Sequence, residues 1–177
     1  MNQLKRRFTA AALAAVLALS ALPAFAAGMS DYLENKLIDH LFRSTSFAAP
    51  TTLCVGLVTG TSNDASTGAA PGTEASYTGY ARTALNAGVA NWKSTNGATS
   101  GASTGTGGTT SNASIITIGS GATSGPQVVT GFFIADSCTT GAGNIHFYAP
   151  LTASKTINNG DPAPTFAVDA ITVQSDN

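Results

Sequence analysis

Charge is what this sequence has least of. Only 10% of its 177 residues are Asp, Glu, Lys or Arg, and the formal charge is −1. A near-neutral chain offers no electrostatic footprint for a phosphate backbone, so nucleic acid is not an expected partner. The absence of long charge runs also argues against charged disordered tails and coiled coils. Aromatic residues make up 7%, with a single Trp, and there are two Cys and two His. No CxxC, Cys/His quartet or HxxxH occurs, so no metal centre is expected. The nucleotide-cradling GxGxxG and GxxxxGK[ST] are missing too. Carboxylates are scattered singly, which leaves no glycosidase-type pair to nominate. The expectation is a chain without cofactor and without enzymatic chemistry.

Long apolar runs are also lacking, with one exception. Phe8 to Leu22 is interrupted only by Thr9 and Ser20, follows Lys5-Arg6-Arg7, and is closed by Pro23 and Ala24-Phe25-Ala26. A basic start, an apolar stretch of roughly 15 residues and a small-x-small site are the parts of a secretory signal peptide. The run is short for a membrane span of about 20 residues. Residues 1–26 therefore read as a signal peptide cleaved after Ala26, and 27–177 as a single domain without a membrane span. Cleavage would remove three of the eight bases and none of the nine acids, leaving a charge of −4. Use of the signal would make the protein secreted or periplasmic.

What is abundant is Gly, Ser, Thr and Ala around short apolar segments. Ser30 or Asp31 can cap a helix, with Glu34 placed as in a capping box. Leu33, Leu37, Ile38, Leu41 and Phe42 then recur at helical spacing, predicting an amphipathic helix over about 30–43. After Pro50 the period becomes alternating. Leu53 to Val58 is apolar on both faces and reads as a central strand. Further strands are predicted at Tyr80 to Ala90, around Ile115, Ile116 and Ile118, and at Val128 to Ala135, Ile145 to Leu151 and Phe166 to Val173. Asn158-Asn159-Gly160 marks a tight turn, and alternation slips at Asp169-Ala170, suggesting a bulge. Ser94 to Asn112 holds only Gly, Ser, Thr, Ala and Asn and is expected to be a mobile loop. The fold class expected is mainly β, an antiparallel β-sandwich of jelly-roll or Ig-like type, with one N-terminal helix.

The order of several segments carries a resemblance. Met29-Ser-Asp-Tyr-Leu-Glu-Asn-Lys-Leu-Ile-Asp-His-Leu-Phe-Arg43 is followed by Ala49-Pro-Thr-Thr-Leu53, then Glu74 ahead of Tyr80-Ala81-Arg82. Gly131-Phe-Phe-Ile-Ala-Asp136, Ile145-His-Phe-Tyr-Ala-Pro-Leu151 and Ser154-Lys-Thr-Ile-Asn-Asn-Gly-Asp161 complete the set. From Met29 onward the chain resembles a family of small tailed-bacteriophage proteins described as tail-fibre or minor tail proteins. The resemblance implies a β-rich virion component located in the tail, with no catalytic residues. It also implies partners that are other copies of the chain or other tail and fibre proteins. Two features depart from the family pattern. A signal peptide is out of place in a virion protein, and Met29, the only internal Met, stands where a phage-type start would fall. The Ser94 to Asn112 tract is the second.

The candidate residues follow from both readings. Cys54 and Cys138 would form a disulfide in an oxidising compartment or remain two buried thiols that never meet. The stripe of Leu33, Leu37, Leu41 and Phe42 would either pack on the sheet or dock a partner. Tyr77, Tyr80 and Trp92 cluster beside polar loops. They would pack at the core edge or, in the alternative of a secreted adhesin, contact a cell-surface glycan. His40 and His146 read as surface or partly packed imidazoles. Gly101-Ala102-Ser103-Thr104-Gly105 matches GxSxG, but without a strand before it or a helix after it the match is by chance. Asp161 and Asp169 belong to a turn and a bulge rather than to a calcium site.

Overall fold

The structure, a computed structural model, describes residues 27–175. The expected signal peptide at 1–26 lies outside the described residues. In chain order the elements are β1 (Gly28–Met29), α1 (Asp31–Phe42), β2 (Cys54–Val58), β3 (Thr83–Ala84), β4 (Trp92–Lys93), β5 (Thr109–Asn112), β6 (Ile116–Thr117), β7 (Gln127–Ala135), β8 (Ile145–Ile157), β9 (Thr165–Phe166) and β10 (Thr172–Gln174). They form three antiparallel sheets, ordered β1-β8-β7-β2-β3, β10-β5-β4 and β6-β9. The chain is mainly β with one N-terminal helix.

β2 is central, as its doubly apolar pattern predicts. All five residues are buried, between β3 and a β7 register running from Cys54 opposite Ala135 to Val58 opposite Gly131. Alternation sends Val55 and Leu57 to one face, where Phe132, Ile134 and Val129 join them. That face is covered by Ile116, Phe166 and Val173 from the smaller sheets and by Ile171 just ahead of β10, with Phe132 and Phe166 edge to face at 5.5 Å. Each such side chain contributes about 1.5–3 kcal/mol through burial. Val58, Phe133, Ala135 and Ile145 form a second cluster on the opposite face. Gly56 is required there, because a Cβ would run into the Phe133 ring.

Four expectations are corrected. The segment Tyr80 to Ala90 pairs only at Thr83–Ala84, because Tyr80 and Arg82 turn their side chains into a network described below. Phe166 to Val173 is not one strand. A turn closed by Ala170 N–H to Ala167 O (3.1 Å), with Asp169 at φ 63°, moves the chain from the β6-β9 sheet to the β10-β5-β4 sheet. The Gly/Ser/Thr tract is not loop throughout, since its last four residues are β5, held between β4 and β10. Asn112 there is fully buried. Its Nδ2 donates to Ser114 O and Ala167 O at 2.8 and 2.7 Å, and its Oδ1 accepts the Ile171 N–H at 2.8 Å. Finally, β8 runs past Leu151 to Ile157, through Pro150, where only β7 flanks it. The turn at Asn158-Asn159-Gly160 is present, with Asp161 N–H on Asn158 O at 3.1 Å.

Candidate interaction surface

α1 begins where it does because Ser30 caps it. The buried Ser30 Oγ accepts the Leu33 N–H at 3.3 Å and donates to Ile145 O, and its N–H meets His146 O at 3.1 Å. The N-terminal end of the helix is thereby tied to β8. The far end is not. Leu33 is the one buried residue of α1, and Leu37 is half-buried. Ile38, Leu41 and Phe42 are 51%, 67% and 80% exposed. At 100° per residue Leu41 lies on the same side as Leu37, one turn further on, and is exposed because that end of the helix stands clear of the domain, whereas Ile38 and Phe42 lie roughly 100° or more round the helix from Leu37.

Beneath the inward side of α1 runs an open apolar cleft of about 560 Å³. Leu33 and Leu37 form one wall, Phe47, Pro50 and Leu53 continue it, and Trp92 faces them from β4. Ala98, Gly101 and Ser103 of the Gly/Ser/Thr tract make part of the rim. A volume of this order, with mostly apolar walls, is typical of binding clefts.

His146 lines the cleft and is only 4% exposed. The register explains this: Ala135 opposes Ile145 while Ile134 opposes Phe147, so His146 is the extra residue of a bulge. Strict alternation would put Ile145 and Phe147 on one face; the bulge sends them to different clusters. Burial lowers the His146 pKa below the ordinary histidine range, with Asp136 Oδ2 at 3.7 Å from Nε2 working against it. Burial also opposes ionisation of Asp136. Hydrogen bonds from Asn144, N–H at 2.6 Å and Nδ2 at 2.9 Å, nevertheless hold its carboxyl below the usual range.

The candidate aromatics do not form one surface. Tyr77 is buried and meets Tyr80 at 5.7 Å, both within the main core. The Tyr80 hydroxyl accepts the Leu57 N–H at 3.1 Å and donates to Glu74 Oε1 at 2.7 Å. Burial first, and then Glu74, push its pKa well above the ordinary tyrosine value. Trp92 alone reaches the cleft, its indole N–H on Leu85 O at 3.1 Å. Cys54 and Cys138 are joined as a disulfide, with Cα atoms 5.2 Å apart. Ser103 lies in exposed irregular chain, not at a strand-to-helix elbow. It shares no hydrogen bond with His146 among the described residues.

The most developed polar cluster is one that residue patterns do not single out. Arg82 is buried, with Nε and Nη2 each 2.8 Å from an oxygen of Glu74. Its remaining donors reach Ser137 O, Ala142 O and Gly68 O at 2.9, 2.8 and 2.7 Å, and its guanidinium lies 4.8 Å from the Phe133 centroid. This ties the 66–74 and 137–142 turns to the sheet and gives the Glu74…Tyr80-x-Arg82 pieces of the resemblance a structural task. Among the described residues no cluster of three His, Cys, Asp or Glu could hold a metal, and no helix is long and apolar enough to cross a membrane.

A family described as podophage GP4 fiber I protein gp80 matches the chain over residues 28–174. No curated protein matches it.

Proposed function

The chain belongs to the podophage GP4 fiber I protein gp80 family, and from that premise we propose that it is a non-enzymatic building block of a phage tail fibre. It acts by docking a neighbouring fibre subunit on the face formed by α1 and the cleft. The observation that carries this reading is the exposed end of α1, with Ile38, Leu41 and Phe42 in solvent on a helix pinned at its other end. Apolar side chains grouped in this way mark interaction sites, and a helix this short depends on packing for its stability. The location proposed is the virion tail.

Sedimentation velocity over a range of concentrations tests the proposal. The protein should self-associate, or bind a second fibre protein, through this face, and Leu41→Glu with Phe42→Glu should abolish that while leaving the far-UV spectrum unchanged. A protein that stays monomeric and binds no fibre subunit, or a double variant that assembles normally, would refute it. Export is a separate proposal, tested by the intact mass of the protein made in its own host. A chain beginning at Ala27 supports use of the signal peptide, and one beginning at Met29 leaves the virion location alone.

A further inference from the structure

The two cysteines differ in access. Cys54 lies inside β2, fully buried and flanked by Ala135 of β7 and Ala84 of β3, whereas Cys138 is exposed on the turn after β7. Polar contacts fix that turn without help from the sulfur bridge. Arg82 donates to the carbonyls of Ser137 and Ala142, on either side of Cys138, at 2.9 and 2.8 Å. At the base of the turn Asp136 N–H meets Asn144 O at 3.1 Å, and the Asp136 carboxylate accepts from Asn144 N–H and Nδ2 at 2.6 and 2.9 Å. Gly68 N–H reaches Gly143 O at 3.0 Å, and Ala142 N–H reaches Thr139 O at 3.1 Å. The Cα atoms of the two cysteines, 5.2 Å apart, thus sit within the range a disulfide spans.

We propose that Cys54–Cys138 is a late redox lock on a fold that forms without it: the Arg82 clasp presents Cys138 to Cys54, and the bond closes and opens at Cys138 in the folded protein. In closing, the Cys138 thiolate attacks a small disulfide such as oxidised glutathione. A mixed disulfide forms and one glutathione thiolate leaves. Cys54 gives up its proton and attacks the Cys138 sulfur, and the second glutathione thiolate leaves. Two protein thiols are oxidised, one glutathione disulfide is reduced, and the two protons end on the released thiols. Opening is the reverse. The incoming thiolate takes the Cys138 sulfur, and the electron pair of the broken bond goes to Cys54 Sγ, which is protonated.

The magnitude follows from the loop. Closing a loop with ends 84 residues apart restricts the unfolded chain far more than a fold in which both ends are already placed. Fold and bond therefore favour each other by the same factor, about a thousandfold or more. A lock of this kind lets the chain fold whatever the redox state around it. It serves a tail component and an exported protein alike and rests on neither reading.

The native protein should be reduced with dithiothreitol at pH 8 without denaturant, then equilibrated in mixtures of reduced and oxidised glutathione. Reduction should leave the far- and near-UV spectra native. The closure constant should be about a thousandfold larger in the folded chain than in the chain unfolded by urea. In Cys54→Ala, Cys138 should react with iodoacetamide in the folded protein; in Cys138→Ala, Cys54 should react only on unfolding. Arg82→Lys keeps a cation for Glu74 but not the fork that reaches both carbonyls, and should lower the closure constant of the folded chain about tenfold or more. A general loss of stability weakens open and closed forms alike and leaves that constant unchanged. Should Arg82→Lys not fold when reduced, Asn144→Ala, which takes one hydrogen bond from the base of the turn, must still lower it about two- to tenfold. A reduced protein that unfolds, Cys54 labelled as fast as Cys138, or an unchanged closure constant in these variants would overturn the lock.

Discussion

Arg82→Met removes the guanidinium but keeps an apolar stem against Phe133, so it isolates the polar role of this residue. The Arg82 side chain is fully buried and Glu74 is 9% exposed. Deleting the cation leaves the carboxylate buried and unpaired, which costs about 3–5 kcal/mol. Three backbone carbonyls, of Gly68, Ser137 and Ala142, also lose a donor. An orphaned buried acceptor costs about 1–3 kcal/mol, but these three lie on turns that can open to water, so one such penalty is the reasonable count. The sum is about 4–8 kcal/mol, a large share of the roughly 5–15 kcal/mol that holds a domain together. At about 2–4 °C per kcal/mol for a chain of this size, Tm should fall by about 8–32 °C. Thermal and urea unfolding at pH 7 with the disulfide intact would measure it. Glu74→Gln added to Arg82→Met removes the stranded charge while keeping an acceptor for Tyr80. The double variant should therefore recover about 2 kcal/mol relative to Arg82→Met alone. A loss below about 1 kcal/mol for the single variant, or no recovery in the double, would show that the network is not a desolvated ion pair.

Three further outcomes are expected. Breaking Cys54–Cys138, which are 84 residues apart, should cost about 4–5 kcal/mol in the chain-entropy model; reductant should lower the Tm of the native protein but not that of Cys54→Ala/Cys138→Ala. Asn112→Ala should cost about 2–4 kcal/mol in urea unfolding for its three side-chain hydrogen bonds, and Asn112→Asp at least as much, because a carboxylate would face two carbonyls. Hydrogen bonds from Lys93 and Ser111 hold the Asp169 carboxyl below its usual range, with burial weakly opposed. Its contribution is thus present above about pH 4 and lost as pH falls below that. In Asp169→Asn, whose side chain tolerates the left-handed backbone, this acid-dependent part of the Tm profile should disappear.

The sequence by itself determined the elements whose causes are local. Ser30 and the Leu33-Leu37 spacing set α1, the run from Leu53 to Val58, apolar on both faces, placed β2 inside a sheet rather than at its edge, and Val128 to Ala135 read as the strand found at Gln127–Ala135. The ordered segments from Met29 to Asp161 also carried the family. Tertiary structure alone decided the rest, because the deciding partners are far away in the chain. β5 has nothing apolar to announce it and exists because β10, some sixty residues on, pairs with it around a buried Asn112. The bulge that buries His146 is a property of the β7–β8 register, invisible in either strand alone. Arg82 enters the sequence reading only within the Tyr80-Ala81-Arg82 segment, and only the fold brings two turns and Glu74 around it to meet every donor. The α1 stripe reads as one apolar face, and only the packing shows that Leu33 fills the domain while Leu41 and Phe42 stand clear of it. Periodicity states which residues share a side; what covers that side is a matter of long-range geometry.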